Sequence, residues 1–209
     1  MDLEILKTLE KKYLLPLICA AAVLRLDDKL EELILLAKRK RIPNTKLYEA
    51  LLQNYLFAGY PLAIISLKIL NKHVRFNPKT SNDDMNLYHF KTRGEKNCKA
   101  IYGKKFDKLI ANVNSFSPEL SEWLVLEGYG KVLGREGLSL KERELCIVSV
   151  LTALKFEDQL YSHINGAFRV GATIGDIEQV IDNISLLGKK SLSTLGKKIL
   201  KKYKKGKGV

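Results

Sequence analysis

The sequence predicts an all-α protein built as an internal pseudo-dimer, and three observations carry that prediction. Apolar residues recur at helical spacing along almost the whole chain, as in Ile177, Val180, Ile181 and Ile184, and no stretch alternates as a half-buried strand would. Helix starts are well marked: Ser139 with Glu142 has capping-box spacing, Thr173 with Asp176 caps the next periodic run, and Ser117-Pro118 places a proline where no donor is lost. Residues 17–70 align without a gap on residues 147–200 at a constant offset of 130, with 11 identities in 54 positions. The apolar pattern stays in phase across that offset, with Leu17/Ile147, Leu47/Ile177 and Leu51/Ile181 on matching faces. A unit of that size leaves one apolar face uncovered, so two copies in one chain most simply pack on each other.

The elements follow in order. Leu14 to Leu24 is an apolar run too short to span a bilayer. Its counterpart from Ile147 lies in mid-chain, where a leader has no place, so the run reads as a core helix. Each copy then turns, near Arg25 to Asp28 or Lys155 to Asp158, into a second helix, followed by a third and a fourth. Gly59-Tyr60-Pro61 predicts a stop and restart. Asn71 to Glu95 is polar, with Asn77-Pro78 and Asn82-Asp83-Asp84, and reads as a linker, after which Ile101 to Leu133 returns to helical patterning. The Ser139 box starts a helix at about Leu140 that runs to about Leu154. From Gly196 the chain is lysine-rich, helical through Ile199 and Leu200 and frayed beyond. The expected division is an N-terminal repeat unit over 1–75, a linker over 76–95, a C-terminal unit over 96–200 and a basic tail over 201–209.

With 209 residues, 46% hydrophobic, 28% charged, 5 Pro and 14 Gly, the chain is an ordinary globular one; disordered, collagen-like and low-complexity classes are excluded. The formal charge of +13 is uneven, because nine lysines and no acid follow Asp182. Neither that tail nor the Lys38-Arg-Lys-Arg41 run carries a recognition motif, so both read as solvated surface rather than a nucleic-acid site. Cys19, Cys98 and Cys146 are odd in number and widely spaced, which argues for a reducing compartment, and the chain is expected to be cytoplasmic, with no membrane partner. P-loop, dinucleotide, HExxH and GxSxG patterns are absent, and His73, His89 and His163 lack carboxylates at metal-ligand spacing; no cofactor and no metal are expected. One histidine has suggestive company. Small residues Ala167 and Gly171 follow His163 at i+4 and i+8, and Glu144 lies nineteen residues earlier on the preceding helix. The plain alternative for Glu144 is a first-turn carboxylate that stabilises its own helix.

Gly134-Arg-Glu-Gly-Leu-Ser-Leu-Lys-Glu-Arg-Glu-Leu145 followed by His163-Ile-Asn-Gly-Ala-Phe-Arg-Val-Gly-Ala-Thr173 resembles the carboxymuconolactone decarboxylase family in its RxGL…REL helix start, its HxxGAxxxGxT segment and the Glu-to-His spacing. The similarity extends to Tyr129-Gly130, where the family more often has Trp-Gly, and to Gly94 and Gly103. The first copy is similar too, most clearly over Glu49 to Pro61. The resemblance implies the alkyl hydroperoxidase D-like helical unit, present twice, and a homo-oligomer, with a trimer favoured because single-unit members form rings of six.

It also implies that Glu144 and His163 are the family's acid and histidine, with His163 moving a proton and Glu144 orienting the imidazole. Decarboxylation of a small lactone or carboxylic acid also needs a cation for the substrate's carboxylate, for which Arg135 and Arg169 are the candidates. On a hairpin turning near Phe156 the Glu144 and His163 Cα levels differ by about 7 to 8 Å, a gap that long side chains have to close. The sequence departs from the family where the decarboxylases carry an Arg pair, having Cys98-Lys99 instead. The related peroxidases use CxxC; Phe156 and Gln159 stand at those positions, and Cys146 has no expected resolving partner, which disfavours a peroxidase. In the first copy Leu14 and Leu33 replace the acid and histidine, making it a degenerate, structural unit. A scaffold of this fold without turnover is the remaining alternative.

Overall fold

The computed structural model describes residues 8–74 and 86–208, and every regular element among them is helical. In order these are α1 (Lys11–Val23), α2 (Asp27–Arg39), α3 (Asn44–Gln53), α4 (Tyr55–His73), α5 (Leu87–Tyr102), α6 (Phe106–Asn114), α7 (Pro118–Trp123), a π-helix (Leu124–Val132), α8 (Leu140–Leu154), α9 (Glu157–Arg169), α10 (Ile174–Asn183) and α11 (Lys190–Lys207). They form two compact units, one from Met1–Phe76 with Gly137–Val209 and one from Asn77–Glu136.

The larger unit is organised by α1 and α8, which pack on each other. Leu14, Ile18, Cys19, Ala20 and Ala21 on α1 and Cys146, Ile147, Val148 and Val150 on α8 have no exposed surface. A helix apolar on all sides has to be surrounded. Here α2, α3 and α4 pack on α1, and α9, α10 and α11 pack on α8. No single helix among the described residues is long and apolar enough to cross a membrane. The apolar pair α3 and α4 is bent by 118°, and Leu47, Ala50 and Leu51 on α3 are fully buried.

Moved along the chain by the offset found in the sequence, the bounds of α2 and α3 become those of α9 and α10. The turns match as well. Leu26 N–H donates to Ala21 O and Phe156 N–H to Leu151 O; Ile42 N–H donates to Ala37 O and Ala172 N–H to Ala167 O. Each is the closing bond of a Schellman turn, and the residue before the donor takes a positive φ: Arg25 (55°), Lys155 (62°), Arg41 (56°) and Gly171 (94°). Contacts between the two sets of helices are reciprocal. Lys12 Nζ meets Asp176 Oδ1 at 3.0 Å, and Lys46 Nζ bonds Glu142 Oε1, so the same pair of positions is bridged twice with the charges exchanged. Such reciprocity is what a two-fold contact produces. Behind it Arg143, 1% exposed, donates to Glu49 Oε2 (3.0 Å) and Gln53 Oε1 (3.2 Å) on α3.

In the smaller unit α5 lies against the π-helix with backbones touching. A Cβ on Gly94 would sit 2.1 Å from Val125 O, and one on Gly130 would sit 2.1 Å from Phe90 O. Arg93 Nε donates to Gly130 O (2.8 Å) and Asn97 Nδ2 to Tyr129 O (3.0 Å), capping carbonyls along the π-helix. This explains why Gly94 and Tyr129-Gly130 occur together.

Capping boxes at Ser139/Glu142 and Thr173/Asp176, the Ser117 cap and the Gly59 kink (φ 77°) lie where the sequence places them. Two expectations need revision. The linker over 76–95 does not extend to 95, and the second unit does not begin at 96: Asn86 caps α5, which runs through both positions because Phe90, Gly94, Cys98 and Ile101 form a sparse buried stripe within a polar sequence. Asn77-Pro78 and Asn82-Asp83-Asp84 lie outside the described residues. The tail over 201–209 is not frayed after Leu200. α11 continues to Lys207, held by buried Tyr203, whose hydroxyl donates to Asn165 (3.4 Å), and by Lys204 with Glu178 (3.1 Å). Both repeat segments lie in one compact unit.

Breaking the buried pair by Arg143→Ala or Glu49→Ala should cost about 3–5 kcal/mol in denaturant unfolding, whereas Glu49→Leu with Arg143→Met should cost much less. Lys155→Gly should stabilise by roughly 0.5–1 kcal/mol, because a β-carbon is strained in the left-handed region. Burial alone would raise the Asp176 carboxyl, but the Thr173 amide, Lys12, Lys141 and Tyr13 hold it well below the usual range. Its contribution is therefore complete above an unfolded value of about 3.9 and lost as pH falls below it. Thermal melts from pH 6 to 2 should show that loss in the wild type and a flatter profile in Asp176→Asn.

Candidate functional site

The start of α8 places a carboxylate in the middle of the core. The Ser139/Glu142 box fixes the first turn, and two residues later Glu144 points inward among Leu145, Cys146 and Ile147, with no exposed surface. α9 returns antiparallel after the Lys155 turn and brings His163, 6% exposed, to face it. His163 Nδ1 lies 2.9 Å from Glu144 Oε2. The axial offset expected from the hairpin is thus closed by the side chains. An ionised carboxylate only accepts, so Nδ1–H donates and the second ring nitrogen, Nε2, is set as the basic one. Glu144 Oε1 is buried and has no hydrogen-bond partner.

One wall of the pair comes from the first set of helices. Phe57, just before the Gly59 kink of α4, sets its ring at right angles to the imidazole with centroids 6.1 Å apart. Reasoning from the sequence missed this residue as a site component, although it lies in the Glu49 to Pro61 segment that resembles the family. Leu14 and Leu33, the counterparts of Glu144 and His163 in the first repeat, are fully buried, so the matching place in the first half is filled with hydrocarbon.

The two arginines are not brought to the pair in the same way. Arg169 is exposed at the end of α9, about 9 Å along the axis from His163 and roughly 120° around the helix. Arg135 belongs to the other compact unit and is half-buried. The thiols correct one expectation: Cys146 does have a sulfur neighbour, Cys19 of α1, and burial with that contact pushes the Cys19 thiol well above its ordinary value. Both are fully buried, and Cys19 is not poised as a thiolate. The open cleft, about 410 Å³, does not adjoin His163 but lies beside Tyr13, Gln179 and Asn183. Among the described residues, no group of three or more His, Cys, Asp or Glu side chains could hold a metal ion.

Residues 118–190 match the carboxymuconolactone decarboxylase family. The chain is similar to the 4-carboxymuconolactone decarboxylase of Acinetobacter baylyi, 30% identical over 83 residues that make up 40% of this chain and 62% of the relative. It is also similar to the Peroxisomal protein 2 of Schizosaccharomyces pombe, 30% identical over 135 residues (61% of this chain, 62% of the relative). The Peroxisomal protein 2 of Saccharomyces cerevisiae is 29% identical over 93 residues (44% and 33%). The chain spans less than two thirds of the length of these relatives. The segment that matches the carboxymuconolactone decarboxylase family, residues 118–190, contains both Glu144 and His163.

Proposed function

We propose that the Glu144–His163 pair transfers a proton in a cofactor-free decarboxylation of a small lactone or carboxylic acid. The observation that carries this reading is the state of Glu144. A purely structural carboxylate in a core is normally bonded through both oxygens, whereas Glu144 uses Oε2 on His163 and leaves Oε1 unpartnered. An unfilled buried acceptor costs about 1–3 kcal/mol, a cost that a substrate hydroxyl or water bonded there would offset.

In the proposed step the C–C bond to the carboxylate breaks, carbon dioxide leaves, and the electron pair spreads onto the substrate's carbonyl. The His163 imidazolium gives one proton from Nε2 to the resulting carbanion and recovers it from water, while Glu144 keeps Nδ1 protonated throughout. Phe57 shields the imidazole from water on one side. Two copies of the helical unit per chain, one of them degenerate, fit a tandem fusion with one site per chain. A homo-oligomer, with a trimer favoured, is the assembly we expect of it. That Cys19, Cys98 and Cys146 are buried thiols supports action in a reducing compartment. A peroxidase is disfavoured by Phe156 and Gln159 at the dithiol positions.

Carbon dioxide release from a panel of lactone acids should fall at least 100-fold in His163→Ala and in Glu144→Gln, with far-ultraviolet circular dichroism unchanged. Turnover that survives both substitutions would remove the pair from the mechanism. A wild-type protein inert on the panel would favour a binding role for the fold.

A further inference from the structure

The cleft of about 410 Å³ in the larger unit is lined by Glu10, Tyr13, Gln179, Asp182, Asn183 and Leu186, among others. Asn183 is 5% exposed; its Oδ1 accepts from Gln179 Nε2 at 2.8 Å, and its Nδ2 has no partner. A buried polar group left unpaired in a residue that lines a cleft is a candidate partner for a ligand atom.

What that atom belongs to is indicated by the other half of the same unit. The repeat counterparts of Tyr13, Gln179 and Asn183 are Arg143, Glu49 and Gln53. There the space is full: the Arg143 guanidinium donates to Glu49 and to Gln53. At the cleft the side chain in the arginine's place is Tyr13, whose hydroxyl turns away to donate to Asp176 (3.0 Å), leaving the two carboxamides without the group that their counterparts hold. Turning both carboxamides over preserves their mutual bond and puts the Asn183 oxygen where its nitrogen stood, ready to accept. The charges agree. Glu10 and Asp182 line the cleft, and the lysines facing them, Lys12 (3.5 Å from Glu10) and Lys197 on Asp182, are about half exposed. Such pairs are weak and exchangeable.

We infer that this cleft binds a small guanidinium compound, which takes the place that Arg143 occupies in the other half. Its N–H groups donate to the Asn183 carboxamide oxygen and to the carboxylates of Glu10 and Asp182, a planar fork matched to planar acceptors. The inference is independent of the proposed decarboxylation.

The test is titration of the full chain with methylguanidinium, followed through the side-chain amide signals of Asn183 and Gln179 in ¹H–¹⁵N spectra. Saturable shifts at millimolar concentration are expected. Affinity should fall at least tenfold in Gln179→Leu, an exposed position that the fold tolerates, and in Leu186→Trp, which fills the cleft. Tyr13→Arg, which supplies the guanidinium from within, should abolish binding; where that variant fails to fold, the other two decide. Shifts that never saturate, equal affinity in Gln179→Leu and Leu186→Trp, or equal binding of methylammonium would overturn the assignment.

Discussion

A carboxylate without exposed surface on a helix of the core is the constraint on which the candidate site depends. From Arg143 to Ala153 every residue of α8 is buried, and Glu144 has no exposed surface. Burying a charge is tolerable only when a partner holds it. His163 supplies that partner, and the rigid hairpin of α8 and α9, closed by the Lys155 turn, fixes the distance between them. One residue earlier the same helix faces the same problem with opposite sign, and Arg143 is answered from α3 by Glu49 and Gln53. Two adjacent buried charges are therefore met from two different helices, which ties α8 firmly to both halves of the larger unit.

The halves differ where chemistry is concerned and are alike where geometry is concerned. The Schellman turns after α1, α2, α8 and α9 recur in the same form, although three of the four left-handed residues carry a side chain. The reciprocal ion pairs recur with their charges exchanged. By contrast, the acid and histidine positions hold Leu14 and Leu33 in the first half, and the arginine position holds Tyr13. Hydrocarbon at 14 and 33 fills one space completely, while Tyr13 at the edge leaves another open. The first half still serves the second, since Phe57 on the kinked α4 forms part of the imidazole's surroundings.

Much of this was legible in the sequence because it is local. Caps at Ser117, Ser139 and Thr173, the Gly59 break and the constant repeat offset are set by residues close in the chain or by a pattern that survives divergence. The Glu144-to-His163 spacing was legible only through resemblance to a family; whether the side chains would meet depended on reach across two helices. What the sequence hid was relational. The α5 stripe of Phe90, Gly94, Cys98 and Ile101 is sparse, so its polar neighbours read as linker. The last turns of α11 are held by Tyr161, Asn165 and Glu178, distant partners that no local pattern reveals. Cys19 and Cys146 are far apart in the chain and neighbours across the α1–α8 contact.

In the proposed site Glu144 fixes the tautomer of His163 and so sets Nε2 to handle a proton. Nitrogen-15 spectra of histidine-labelled protein read this directly. At a pH where the ring is neutral, His163 should carry its proton on Nδ1, and Glu144→Gln should shift the population toward the Nε2–H form. A wild-type His163 protonated on Nε2, or a tautomer indifferent to that substitution, would contradict it.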